Sequence, residues 1–207
     1  MGAGHRAALA AAYATLLAFG ASASAAARCP EARSVGSGSD NAGAVAETVC
    51  AINAERRAAG VTSLHWNSRL AVAAERMAAD MAARDYFGHV TRGGQDLAAR
   101  VAAAGYVHAG SGWPVGENIG WGSGDLATPE SMVARWLASP GHRRNLLNPG
   151  YSELGIGVVH GSPMRGDDAG SIFVADFGSA SVTTGRRHSR RRTPRSARPH
   201  SRRPSAR

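Results

Sequence analysis

The sequence predicts an α+β domain: helical periodicities come first, strand-like runs come late, and no internal repeat interrupts that order. The first helix is expected from about Ala44 to Ala59, where Val45, Val49 and Ile52 recur at helical spacing and Gly60 supplies the stop. Leu64 and Trp66 then alternate across a short extended link. A second helix is expected from Ser68 to Arg84, with Leu70, Ala73, Ala74, Met77 and Met81 on one stripe. A shorter third, about Gln95 to Ala104, ends at Gly105. After a Gly-rich connection, Val115–Trp121 reads as a strand. Thr128-Pro129-Glu130 has the cap-then-proline pattern of a helix start, and Met132, Val133, Trp136 and Leu137 form that helix's buried face. Ser139-Pro140 restarts the chain as a short helix carrying His142. Leu154–Val159 and Ile172–Phe177 close the domain as antiparallel strands, joined by a polar hairpin over 161–170. The Arg165-Gly166-Asp167 tripeptide in that hairpin is ordinary turn composition.

Three compositional zones frame this domain. Residues 1–27 carry a lone basic residue (Arg6), a short apolar stretch and Ala-x-Ala sites, the anatomy of a secretory signal. Ala, Gly and Tyr dilute the run too far for a stable membrane span, and cleavage fits after either Ala25 or Ala27. Export places the two cysteines, Cys29 and Cys50, in an oxidising compartment, where an even count favours one disulfide. Such a bridge would staple residues 28–43 to the first helix and contribute roughly 3 kcal/mol.

The charge is unevenly spread. All 24 basic residues are Arg, and ten of them fall in the last 22 residues with no acid among them. Residues 28–185 hold 13 Arg against 15 Asp and Glu, so the globular part is slightly acidic and the basic balance belongs to the tail. That tail, 181–207, is rich in Ser and Pro and is expected to be disordered. It either engages anionic polymers through salt-sensitive electrostatics or simply solubilises the chain. About 155 residues remain for one domain, enough for a substantial core.

Three segments look organised for chemistry: Phe87-Gly88-His89-Val90, Gly116-Glu117-Asn118-Ile119 and Ser139-Pro140-Gly141-His142-Arg143. Each sets one ionisable residue where an apolar frame meets a Gly- or Pro-bearing turn. Two imidazoles and a carboxylate could hold a divalent metal such as zinc while leaving a coordination position open. Without metal, the same groups are the parts of an acid/base site, or polar groups that satisfy neighbouring backbone. No Gly-x-Ser-x-Gly motif and no Cys near a His supplies a nucleophile.

Five motifs in order carry a family resemblance. They are Asn53-Ala54-Glu55-Arg56 with Leu64-His65-Trp66, Phe87-Gly88-His89, Gly116-Glu117-Asn118-Ile119, Trp136 to Leu147, and Gly155-Ile156-Gly157-Val158. Over residues 44–178 the chain resembles the bacterial, SCP-like extracellular branch of the CAP superfamily (cysteine-rich secretory, antigen 5 and pathogenesis-related 1 proteins). The resemblance implies a three-layer α-β-α sandwich with a small central antiparallel sheet, and a domain spanning 44–180. It also implies a central cavity with two His and two Glu, to which His89, Glu117 and His142 correspond. Ser139 stands where the second Glu would be, and is expected to cap the helix carrying His142. Asn118 and Trp121 are expected as cavity neighbours.

These readings lead to a secreted, monomeric protein without a transmembrane segment. It would bind a lipid, glycan or cell-wall polymer outside the cell, and its Arg-rich tail would retain it at the wall. The alternative is a divalent-metal-dependent, peptidase-like hydrolase using His89, Glu117 and His142.

Overall fold

The computed structural model describes residues 41–106, 114–164 and 169–179. The signal segment, Cys29, the Arg165–Asp167 tripeptide and the Arg-rich tail lie outside the described residues.

Among the described residues, five α-helices and a four-stranded sheet form three layers. Helix α1 (Ala42–Ala58) buries Val45, Val49 and Ile52 on the predicted stripe. Gly60 takes the left-handed conformation (φ 72°) that ends the helical run, and Gly105 (φ 80°) does the same after α3 (Leu97–Ala103). Helix α2 (Ser68–Ala83) starts at Asn67, whose side chain accepts from the backbone N–H groups of Arg69 and Leu70. Helix α3 begins two residues later than its periodicity predicts, because Asp96 caps it by accepting from Ala99 N–H at 2.8 Å. Helices α4 (Pro129–Ala138) and α5 (Pro140–Leu146) each have proline in the first turn, as read from sequence. Thr128 caps α4 through its hydroxyl. Ser139 occupies the equivalent place before α5, but its side chain makes no capping bond. The expected cap is therefore positional only.

The strands are β1 (His65–Trp66), β2 (Gly116–Gly122), β3 (Glu153–His160) and β4 (Ser171–Gly178), in sheet order β1-β3-β4-β2. The three long strands pair antiparallel. The two-residue link containing Trp66 adds to β3 in parallel, so the sheet is mixed at that edge. Two residues of pairing are too local a signal for alternation to reveal.

One face of the sheet presents Leu154, Ile156, Val158, Phe173 and Phe177 to α1, α4 and Leu146 of α5. The other presents Ile119, Ile172 and Val174 to α2. A third cluster, Leu70, Ala73, Val101 and Tyr106, joins α2 to α3. Arg56 is fully buried beneath α1. Its guanidinium donates to the carbonyls of Thr62, Leu146, Asn148 and Tyr151, which organises the chain between α5 and β3. The Asn53 side chain clasps both backbone groups of Leu64. These two residues explain structurally why the Asn53–Arg56 motif precedes Leu64.

Gly155 and Gly157 let α2 lie directly on β3. A Cβ at Gly155 would overlap the backbone N of Ala71, and one at Gly157 the backbone N of Glu75. Neither obstacle is a side chain that can swing away. Gly157→Ala is therefore expected to destabilise the fold by about 3 kcal/mol, read as a lower urea midpoint with an unchanged slope. A midpoint within error of the parent would show that α2 is not seated this closely.

Candidate functional site

Strand β2 is a sheet edge, and its alternation sorts the motif residues onto two faces. Glu117, Ile119 and Trp121 point to the α2 side, while Gly116, Asn118 and Gly120 point to the α4–α5 side. Asn118 is fully buried and ties α5 down: its amide donates to the His142 carbonyl at 3.1 Å. The Asn145 amide donates in turn to the Glu117 carbonyl and to Asn118 Oδ1, both at 3.0 Å.

Glu117 has a side chain only 2% exposed, and both of its oxygens are engaged. Oε1 lies 2.7 Å from His89 Nδ1, and Oε2 accepts from an Arg100 terminal amine. Arg100, in α3, is itself buried and also donates to the His89 carbonyl at 2.7 Å. One guanidinium thus fixes Glu117 and the loop that carries His89. His89 stays 57% exposed, and its hydrogen bond to Glu117 raises its pKa despite burial and Arg100 working the other way. His142 moves in the opposite direction, lowered by burial and by the His89 charge. The two imidazoles are pushed towards different protonation states.

Asp176 lies directly across the β4–β2 ladder from Glu117 and is fully buried. Among the described residues no donor reaches either of its oxygens. Burial holds its pKa well above the usual carboxylate range, and the Glu117 charge pushes it the same way, with Arg100 opposing. Once protonated, Asp176 becomes a donor and its contact with Glu117 becomes a hydrogen bond. The arrangement is two carboxyl groups beside one guanidinium, with the protonated form of Asp176 favoured. Buried carboxyl pairs behave this way because two adjacent negative charges cannot both be desolvated.

The trio read from sequence therefore divides. His89 and Glu117 are joined, with Arg100 and Asp176 completing their cluster. His142, Ser139 and Trp121 line a separate open cleft of about 310 Å³ at the edge of β2, together with Phe87, Met132 and Arg135. Among the described residues, no group of three or more His, Cys, Asp or Glu side chains is placed to hold a metal ion. The donor set agrees: a cation at Glu117 would have to displace His89 or sit against the Arg100 charge. These residues do not fit a resident zinc.

Arg100 and Asp176 escaped the sequence reading, yet each left a signal. Leu97, Arg100, Val101 and Ala104 share helical spacing, which puts Arg100 on the apolar stripe. Asp176 falls in period two with Ile172 and Val174, on a face that must be buried.

An α+β sandwich whose edge strand joins a buried carboxylate cluster to an open aromatic cleft defines the class of domain. The chain belongs to the CAP, or cysteine-rich secretory protein, family, whose sequence model matches residues 49–177. It is 33% identical over 127 residues to the uncharacterised protein YkwD of Bacillus subtilis, covering 60% of this chain and 43% of YkwD. A B. subtilis membrane protein, YlbC, is 35% identical over 99 residues, which is 48% of this chain and 27% of YlbC. The chain thus spans less than half the length of these curated relatives. Its fold is similar to that of an extracellular SCP-domain protein of Bacillus anthracis (TM-score 0.54, 22% identity, 70% of this chain and 45% of that one). It is also similar to an outer surface protein of Borrelia burgdorferi (TM-score 0.52, 20% identity, 63% and 88%).

The Asp176 proton gives stability a definite pH dependence. In the unfolded chain the residue ionises near pH 4, whereas the folded chain keeps it protonated to higher pH. Its contribution is fully present below about pH 4 and is lost as pH rises through the folded pKa. Asp176→Asn removes that loss, so the variant should gain stability relative to the parent as pH rises from about 4 to 7. His89 also has a raised pKa and loses its contribution as pH rises in both proteins, but it shares Glu117 with Asp176, so the comparison is repeated in a His89→Ala background. Parallel urea-derived profiles would contradict a retained proton.

Proposed function

We propose that the protein is a secreted CAP-domain binding protein that takes an amphipathic ligand of the cell envelope in the cleft at the edge of β2. The observation that carries this reading is the composition of the cleft. Phe87, 43% exposed, faces Ile119, Trp121 and Met132, while Arg135 and His142 supply a polar rim. Concave apolar sites with few polar groups are the usual form of a small-ligand pocket. Arg135 already donates to the carbonyls of Trp121 and Leu126, yet its Nε–H is buried without a partner. With its pKa lowered, His142 is a neutral hydrogen-bonding group near pH 7.

Export is supported by the signal-like residues 1–27 and by the nature of two structural neighbours, one an extracellular protein and one an outer surface protein. Among the described residues no helix is long and apolar enough to cross a membrane. Cys50 lies in α1, and no free thiol occurs among the described residues, which suits the proposed bridge to Cys29. The Arg-rich tail would hold the secreted protein near anionic wall polymers.

Titration with a dodecyl-chain amphiphile below its micelle concentration should shift the tryptophan emission of the purified protein to shorter wavelength. Phe87→Ala should weaken binding roughly tenfold, since it removes a large apolar contact. Trp121→Phe should remove most of the signal. Equal binding by the parent and Phe87→Ala would overturn the cleft as the site.

A further inference from the structure

A second cavity, of about 230 Å³, lies on the α2–α3 side of the molecule, apart from the cleft, and shares only Arg100 with the Glu117 cluster. Its floor is apolar, formed by Ala73 and Met77 of α2 and Ala103 of α3. Its walls carry three guanidinium groups, Arg76, Arg84 and Arg100, against one carboxylate, Asp80. Asp80 is occupied on both oxygens, by Arg84 Nε at 2.9 Å and by the Tyr86 hydroxyl at 2.5 Å. It cannot neutralise Arg76 as well, and Arg76 has no hydrogen-bond or ion-pair partner among the described residues.

The inner wall is the most informative part. Arg100 is 5% exposed, and its two terminal amines are committed to His89 and Glu117, but its Nε–H is buried with no partner. That nitrogen is sealed from solvent, so Arg100 meets the cavity through the rest of its side chain. Thr91 and Gln95 add polar groups at the mouth.

We propose that this cavity binds an oxyanion, a phosphate or carboxylate carried on a compact organic body. Guanidinium groups present paired N–H donors in the plane that such oxyanions accept. Arg84 is paired with Asp80 and Arg100 with Glu117, so the uncompensated charge on the walls is that of Arg76. It favours an anion, and the apolar floor together with the volume leaves room for more than a bare ion. Because Arg100 links this wall to Glu117, an anion here would also bear on the cluster beside the cleft.

The test is ¹H–¹⁵N chemical-shift mapping on the full chain with three probes built on the same three-carbon body: glycerol 3-phosphate, glycerate and uncharged glycerol. Shifts confined to residues 73–103 are expected with one or both anions and not with glycerol, weakening as salt is raised. The anion that binds more tightly identifies whether phosphate or carboxylate is preferred. The Arg76→Gln, Arg84→Gln double variant keeps Arg100 and the core intact and should bind roughly tenfold more weakly. Shifts confined to the Arg-rich tail, equal response to glycerol, or unchanged affinity in the double variant would overturn the site.

Discussion

The pairing of Arg100 with Glu117 is the constraint on which the functional half of the molecule depends. Both side chains are almost fully out of water, so each would be costly to bury alone. Removing one partner of such a pair typically costs about 3–5 kcal/mol, because the other is left charged and dry. Here the pair also has positional consequences. Arg100 reaches from α3 to the edge strand and to the His89 carbonyl, so the loop after α2 is fixed by the ion pair that anchors Glu117. Asp176 sits behind it with no donor of its own, and burial favours its protonated form.

This cluster and the cleft share β2, the cleft wrapping the strand's edge to take Ile119 and Trp121 from the Glu117 face and Met132 and Trp136 from the other side. Strand alternation sends Glu117 to the α2 side, whereas the Asn118 and Asn145 amides hold α5, and with it His142, over the same edge. The two imidazoles are near enough for the His89 charge to lower the pKa of His142, yet their hydrogen-bonding duties differ. His89 serves the carboxylate, and His142 serves the cleft. The separation depends on a closely seated sheet. The backbone of α2 rests on Gly155 and Gly157, and the Trp136 indole donates to Ile119 O at 3.0 Å from the other side.

Most of the scaffold was legible in the sequence because its signals are local. Apolar spacing located α1 and α2, Gly60 and Gly105 closed helices, and Thr128-Pro129 opened α4. Nonlocal features were harder to read. The parallel pairing of Trp66 with Leu154 involves two residues separated by most of the domain. Ser139 has the right chemistry and position for a cap, but its hydroxyl does not take that bond. At the site, sequence found the residues that can ionise and could not say what neutralises them. An arginine in a short helix reads as a solvated charge until the fold places it against Glu117. An aspartate in a β-run reads as an interruption until the register sets it across from another acid.

The central claim is that Glu117 is held internally by Arg100 and His89 and is not available as a metal ligand. Calorimetric zinc titration of the full chain beside His89→Ala and His142→Ala tests this most directly, because both residues have exposed or half-buried rings whose removal spares the core. If Glu117 is held as described, all three proteins bind zinc equally weakly, through groups elsewhere in the chain. A one-to-one site present in the parent and abolished in both variants would contradict it.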